Sequence, residues 1–226
     1  MVQLFTKNMF IMLFSIMVGA TIITYFVADV VHRSNIETLT SEHTAEIETI
    51  EGRNINFTDH FLSSSVLLDK SREDRAFGNY HFDLGFLWFR SALVENNESE
   101  FNTYKERTID NCTGAMENYF ISHQNFNEAN KYFNNTKFYT TYPKYLEILN
   151  LYVDLTTSGA RLTMLRYNAS YYLRCMAENL SFENDTNISA LYELFNETML
   201  LYTEELEIYE EIQDDIDEYE FYEELR

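Results

Sequence analysis

The sequence predicts an all-α protein, in which an N-terminal transmembrane helix and a stalk precede an up-down bundle of long helices. Apolar residues recur every three or four positions over long segments. The 226 residues include only one proline and six glycines. Many short strands would need Gly or Pro turn signals at about every 8–12 residues, and these signals are missing, so a few long helices are expected.

The composition predicts a folded domain after the membrane segment. Hydrophobic residues make up 46% of the chain and aromatic residues 16%. This is ample apolar material for a core, and the residues beyond the first 33 are enough for one domain.

The charge of the chain excludes nucleic acid as a partner. The formal net charge is −21, and residues 204–226 alone contain twelve acidic residues and one basic residue. Such a surface repels phosphate groups, and no basic patch offsets it. The C-terminal helix is therefore expected to be an acidic one with a solvated face.

The run Met9–Ala28 carries no charge between Lys7 and Asp29. A helix of this length covers the roughly 30 Å hydrocarbon layer of a lipid bilayer. We therefore predict a short cytoplasmic segment at residues 1–8 and a transmembrane signal anchor at residues 9–31. A cleaved signal peptide ending near Ala20 is the alternative, but the apolar run continues past that point and favours an anchor.

Two features suggest association along the anchor and the stalk. Ser15 and Gly19 place small residues on one face of the span, which predicts self-association in the membrane. Residues 34–52 set isoleucine, leucine and alanine at near-heptad spacing among charges, which is typical of a helical or coiled-coil stalk. The domain is expected to begin at residue 53, because Gly52 relaxes the backbone there.

Acceptor motifs for N-glycosylation are unusually frequent, and all of them lie beyond the span. Random placement would give roughly three such motifs, and the chain has nine. The candidate sites are Asn56, Asn97, Asn111, Asn134, Asn168, Asn179, Asn184, Asn187 and Asn196. We therefore expect a single-pass protein of the cell membrane with a glycosylated C-terminal domain outside the cytoplasm, although an asparagine-rich composition would also scatter such motifs.

Residues 53–226 are expected to form the bundle. Its helices are predicted to run from a cap at Asn56 or Thr58 towards Glu95, over about residues 99–134, from Pro143 to an end within residues 181–187, and from about residue 188 into the tail. The polar run at residues 69–75 could divide the first of these helices at an exposed turn. Its buried side is predicted to contain Phe61, Leu68, Phe77, Tyr80, Leu84, Leu87 and Trp88. Stacked helical hairpins are the structural alternative, but no second repeat copy is found.

No residue pattern predicts catalysis, a metal site or a cofactor. The five histidines are isolated, and no glycine-rich phosphate loop or nucleophile elbow is present. Asp215 and Asp217 begin like a calcium loop, but the sixth position lacks the required glycine. The sequence is therefore not expected to be that of an enzyme.

The two cysteines, Cys112 and Cys175, are expected to be unpaired. Cys112 lies 22 residues before the connection at residues 134–142 and Cys175 lies 33 residues after it. In an antiparallel hairpin this difference separates them by roughly 16 Å, whereas bridged Cα atoms lie about 4.4–6.8 Å apart.

Two functional hypotheses remain. The first is a structural or protein-interaction module that contacts an unknown partner, or a second copy, through its bundle or its acidic end. The second is a ligand-sensing ectodomain, since membrane helix, stalk and helical bundle together resemble in plan the ligand-binding domains of bacterial and archaeal chemoreceptors. That resemblance implies a second membrane span and an output module, which the chain up to Arg226 lacks, so a separate signalling partner would be needed.

Overall fold

The computed structural model describes the backbone of residues 2–183 and 188–219, and their side chains from Thr24 onward except Phe26. This part of the chain contains four α-helices, one short 3₁₀ helix and no strand, which confirms the predicted all-α class. The helices are α1 (Val2–Val94), α2 (Glu98–Thr136), α3 (Pro143–Asn179) and α4 (Ser189–Asp217), with the 3₁₀ helix at Lys137–Tyr139.

The helix ends follow local sequence signals. The side chain of Asn97 caps α2 by accepting hydrogen bonds from the backbone amides of Ser99 and Glu100, at 2.9 and 3.2 Å. Pro143 occupies the first turn of α3, where its missing N–H costs nothing. The predicted ends of α2 and α3 therefore agree with the structure to within a few residues.

Helix α1 continues through residues 52–58 and 69–75, so the expected helix start with a cap at Asn56 or Thr58 is wrong, and the turn considered at residues 69–75 is not formed. The run at residues 69–75 does not form an exposed turn because part of it packs inside the bundle. Ser71 is fully buried, and Arg72 and Arg75 are half-buried. A polar run can therefore continue a helix when its side chains find hydrogen-bond partners on neighbouring helices.

Contacts between Cα atoms divide the chain into two units, Met1–Arg53 and Asn54–Arg226. In the first unit, nearly every described side chain is exposed, and Arg33 pairs with Asp29 at 3.0 Å. Among the described residues, no helix contains an apolar stretch long enough to cross a membrane. Most side chains of the predicted anchor, including Ser15 and Gly19, lie outside the described set, so the anchor stays a prediction.

The second unit is an up-down bundle in which consecutive helices run antiparallel. Ser122 of α2 donates a hydrogen bond to the backbone oxygen of Ser71 in α1, and Asn130 of α2 donates one to that of Val153 in α3. Helix α4 returns to α1, where the rings of Phe195 and Phe82 stack with centroids 6.3 Å apart. This closure of the fourth helix onto the first confirms a bundle.

The core consists of two hydrophobic clusters. One contains Phe82, Phe89 and Phe195, and the other contains Phe126, Phe133 and Tyr209, with many aliphatic side chains in both. Between them, Ser71, Ser122 and Thr163 are fully buried. We call this middle zone, together with the half-buried Arg72, Arg75 and Arg166, the polar layer.

Several residues predicted to be buried are exposed instead. On α1 these are Phe77, Tyr80 and Leu87, whose exposed fractions are 54%, 61% and 53%. The α1 residues were assigned to the wrong side because α1 has apolar side chains on two opposite faces, only one of which is turned into the bundle.

Candidate functional site

The second apolar face of α1 is a long exposed surface of the described bundle. At 100° per residue, its members lie within about 50° of one line along the helix. They are Ile55, Leu62, Val66, Phe77, Tyr80, Leu84, Leu87 and Val94, which we call the outer face of α1. All of these except the half-buried Leu84 are 53–77% exposed. Single exposed apolar residues are ordinary, but a row of them along one helix face marks an interaction surface.

Acidic residues interrupt the outer face near its middle. Asp69 and Glu73 lie on the same line of the helix, and the side chain of Asp69 is 81% exposed. Arg72 approaches Asp69 only at 3.9 Å, because its guanidinium is directed to α4. The face therefore combines two apolar segments with a negative centre.

The polar layer joins α1 to α4 through arginine and tyrosine. Nε of Arg72 donates to the hydroxyl of Tyr209 at 3.0 Å, and the same guanidinium bonds Gln213. The guanidinium of Arg75 lies 4.5 Å above the centre of the Tyr209 ring. One tyrosine thus receives a hydrogen bond on its hydroxyl and a cation on its face.

Arg166 extends the polar layer from α3. Its guanidinium lies 4.4 Å from the ring centre of Phe82 and 4.2 Å from that of Tyr202. Within the described residues, Nε of Arg166 and Nη1 of Arg75 are buried without a hydrogen-bond partner. Cation–π contacts with the rings of Phe82 and Tyr202 therefore provide much of the stabilisation of the Arg166 guanidinium inside the bundle.

The polar layer is suited to fixing helix register rather than to chemistry on a substrate. If one helix moved along the bundle axis, a guanidinium of the polar layer would lose contact with its aromatic ring. The free energy of the bundle would then rise, as it does when a partly buried charge loses its partner. The polar run at residues 69–75 was the sequence signal for this layer, and the turn considered there is not formed.

The structure distributes the predicted glycosylation sites over all four helices and one connection. Asn56, Asn97, Asn179 and Asn196 are exposed. Three others are half-buried: Asn111, Asn134 and Asn168. Asn184 and Asn187 lie outside the described residues. The outer face of α1 has no acceptor motif between residues 57 and 94.

Asn111 is engaged between two helices. Its Nδ2 donates to the backbone oxygen of Arg107 at 2.8 Å, and its Oδ1 lies 3.3 Å from Nδ1 of His81 in α1. A glycan on Nδ2 would crowd both of these contacts.

The two cysteines are not bonded to each other in the structure, and their predicted redox state stays a prediction. Cys112 is fully buried. Burial raises the pKa of its thiol to about 12, although the positive charge of Arg174 opposes the shift. Cys112 is therefore a protonated, apolar packing group at neutral pH.

The histidines are spread over the bundle and the first unit. His60 lies between the rings of Tyr132 and Tyr139, and His123 bonds the backbone oxygen of Ala160 at 2.9 Å. Across the described residues, no group of three or more His, Cys, Asp or Glu side chains is placed to hold a metal ion. Asp215 and Asp217 belong to α4, so the start of the calcium-like motif is helical.

An open recess lies between the start of α3 and the end of α4. The hydroxyl of Tyr219 is 2.8 Å from Oε2 of Glu147 at its wall. Its other lining residues are Lys144, Asn150, Leu151, Asp215 and Glu218. The lining mixes both signs of charge, and the recess is open to solvent.

Comparison of the chain with protein-family models, with curated proteins and with solved structures finds no match.

Proposed function

We propose that the chain is an N-glycosylated helical-bundle protein anchored in the cell membrane by residues 9–31, and that it acts outside the cytoplasm as a protein-interaction module. The outer face of α1 carries this proposal. Helix α1 has one apolar face in the bundle and a second one in solvent, and a row of exposed apolar side chains along one helix face is typical of an interaction surface.

Site-specific photo-crosslinking in intact cells tests the interaction. A photoreactive amino acid replaces Tyr80 on the outer face, and in a matched variant it replaces Tyr192 on α4, where the exposed fraction is 51%. We expect crosslinked adducts from position 80 and few from position 192. Equal yields at the two positions would contradict a role for the outer face.

Protease treatment tests the orientation. Protease added to intact cells should digest the bundle, and a glycosidase should lower the apparent mass of the chain. Digestion that occurs only after permeabilisation, with no change of mass, would contradict a glycosylated domain outside the cytoplasm.

A further inference from the structure

We infer that the outer face of α1 binds an amphipathic helix of a different protein, whose apolar side chains cover both apolar segments and whose basic side chains pair with Asp69 and Glu73. The inference rests on the proposed function as an interaction module and adds the chemistry of the partner.

The shape of the surface favours a helix as the partner. The outer face is a narrow stripe that follows one helix from Ile55 to Val94, a length of about 58 Å. Side chains at three- and four-residue spacing leave gaps that another helix can fill by packing ridges into grooves. Around Phe77 and Tyr80 the surface is already a shallow, mostly apolar depression, with Glu73, Ala76 and His81 at its edge.

The charge of the surface selects a basic partner. Asp69 and Glu73 lie near the midpoint of the outer face, and both are exposed. A third exposed carboxylate, that of Asp59, lies at the edge of the face between Ile55 and Leu62. The exposed basic residues of this part of α1, Lys70 and Arg90, project about 80° to either side of its midline. A partner helix that covers the stripe must therefore bring positive charge to its own middle, or leave two carboxylates desolvated and unpaired.

The same charge disfavours a second copy of this chain. Two chains anchored in one membrane run parallel, so Asp69 and Glu73 would meet their own counterparts across the contact. The net charge of −21 on each chain adds to the repulsion. An anionic lipid surface is disfavoured for the same reason.

The predicted glycosylation sites lie away from the outer face of α1. Of the acceptor sites beyond α1, Asn134 belongs to α2, Asn168 and Asn179 belong to α3, and Asn196 belongs to α4. On α1, Asn56 projects about 110° from the midline of the outer face, and Asn97 follows the end of the helix. A partner helix could therefore reach α1 while the other helices carry sugars.

Designed peptides test the inference directly. The probe is a labelled 40-residue amphipathic peptide with leucines along one face and three lysines in its central turns, monomeric at the concentrations used. A second peptide has glutamates in place of the lysines. Because the acidic centre is near the midpoint of the face, the probe fits in either orientation. Binding is measured by fluorescence anisotropy to the full chain in zwitterionic lipid nanodiscs, with empty nanodiscs as the blank.

The lysine peptide should bind about tenfold or more tightly than the glutamate peptide, and added salt should weaken it. The double substitution Asp69→Lys with Glu73→Lys should reverse the preference. Leu87→Glu should weaken binding about tenfold, whereas Leu200→Glu, at a 62% exposed position on α4, should leave it unchanged.

Three results would overturn the inference. The first is no binding above empty nanodiscs, and the second is equal binding of the two peptides. The third is a dimer of the unmodified chain that Leu87→Glu dissociates, because the outer face would then belong to a second copy. None of these measurements depends on orientation or glycosylation in the cell, so failure here is distinguishable from failure of the proposed function.

Discussion

Two glycines show how the same residue type is used differently along α1. A Cβ added at Gly78 would lie 2.7 Å from Cδ1 and Cε1 of Tyr119, whereas one added at Gly52 would meet nothing within 4 Å. Tyr119 is fully buried, and its hydroxyl donates to Asn79 at 2.7 Å. Gly78 is therefore required for close approach of α1 and α2, while at Gly52 the structure demands no glycine.

We predict that Gly78→Ala lowers the free energy of unfolding by about 1–3 kcal/mol, because the Tyr119 ring must move and its hydrogen bond weakens. Gly52→Ala should instead be neutral or raise it by up to about 1 kcal/mol through helix propensity. Urea denaturation of both variants checks the pair. If both substitutions changed the free energy of unfolding equally, packing against Tyr119 would not be the cause of the destabilisation in the Gly78→Ala variant.

The thiol of Cys112 predicts a loss of stability at alkaline pH. Its pKa is about 12 in the folded protein against an ordinary value of 9.0, because burial penalises the thiolate. Below pH 9 both states hold the proton and the full stability is present. As the pH rises from 9 towards 12, only the unfolded chain releases it, so stability falls by up to about 1.4 kcal/mol per pH unit.

Cys112→Ala removes this contribution, so its free energy of unfolding should vary less between pH 9 and pH 10 than that of the unmodified chain. Urea denaturation at both pH values provides the comparison, and any constant cost of the substitution cancels in the slope. Burial also raises the pKa of Tyr119 above its ordinary 10.0, and that effect persists in both proteins above pH 10. Identical slopes between pH 9 and pH 10 would contradict the shift at Cys112.

At the scale of elements, α4 combines a helical pattern with strong like-charge repulsion. Residues 204–226 contain twelve acidic residues and one basic one, and α4 is helical as far as Asp217. The buried side chains of Tyr209 and Ile216 hold this part of α4 in the bundle. Packing of these side chains in the bundle therefore offsets the repulsion between the carboxylates of α4. The same segment in isolation lacks this packing and would not form a stable helix.

A peptide of residues 204–226 should accordingly be weakly helical at pH 7 and more helical near pH 3, where its carboxylates are protonated. Circular dichroism measures the change. In a matched peptide, glutamine replaces Glu204, Glu207, Glu210 and Glu211, and its helicity at neutral pH should be higher. A parent peptide that is already fully helical and monomeric at pH 7 would contradict the role of repulsion.

The elements also show where sequence reasoning succeeds and where it stops. The ends of α2 and α3 could be predicted because Asn97 and Pro143 are local signals that act within one turn. The continuity of α1 through residues 69–75 could not be predicted from the sequence, because the hydrogen-bond partners of the polar side chains in this run lie on α2 and α4. Both faces of α1 share one periodicity, so the pattern alone does not say which of them faces the core.

At the scale of the whole molecule, the polar layer and the outer face of α1 have complementary roles. The layer places arginines against aromatic rings between two hydrophobic clusters, which ties α1, α3 and α4 into one register. A bundle whose helices are fixed in this way presents the outer face as a stripe along one helix. Neither feature is visible in any single segment, since each depends on which helices become neighbours.

The arrangement of the bundle also predicts which acceptor asparagines carry glycans. Asn56, Asn97, Asn179 and Asn196 are exposed, whereas Asn111 is half-buried between α1 and α2 and its Oδ1 lies 3.3 Å from Nδ1 of His81. A glycan on Nδ2 of Asn111 would crowd this contact and the hydrogen bond from Nδ2 to the backbone oxygen of Arg107. We therefore expect occupancy at the four exposed sites and none at Asn111 in the folded protein.

Glycosidase treatment in ¹⁸O-labelled water provides the measurement, because each occupied asparagine becomes a labelled aspartate that mass analysis of peptides locates. The matched substitutions Asn196→Gln and Asn111→Gln supply the control, since only the first should lower the mass of the chain by one glycan. A labelled aspartate at position 111 in folded protein would mean that the contact between His81 and Asn111 does not define the packing of this hairpin.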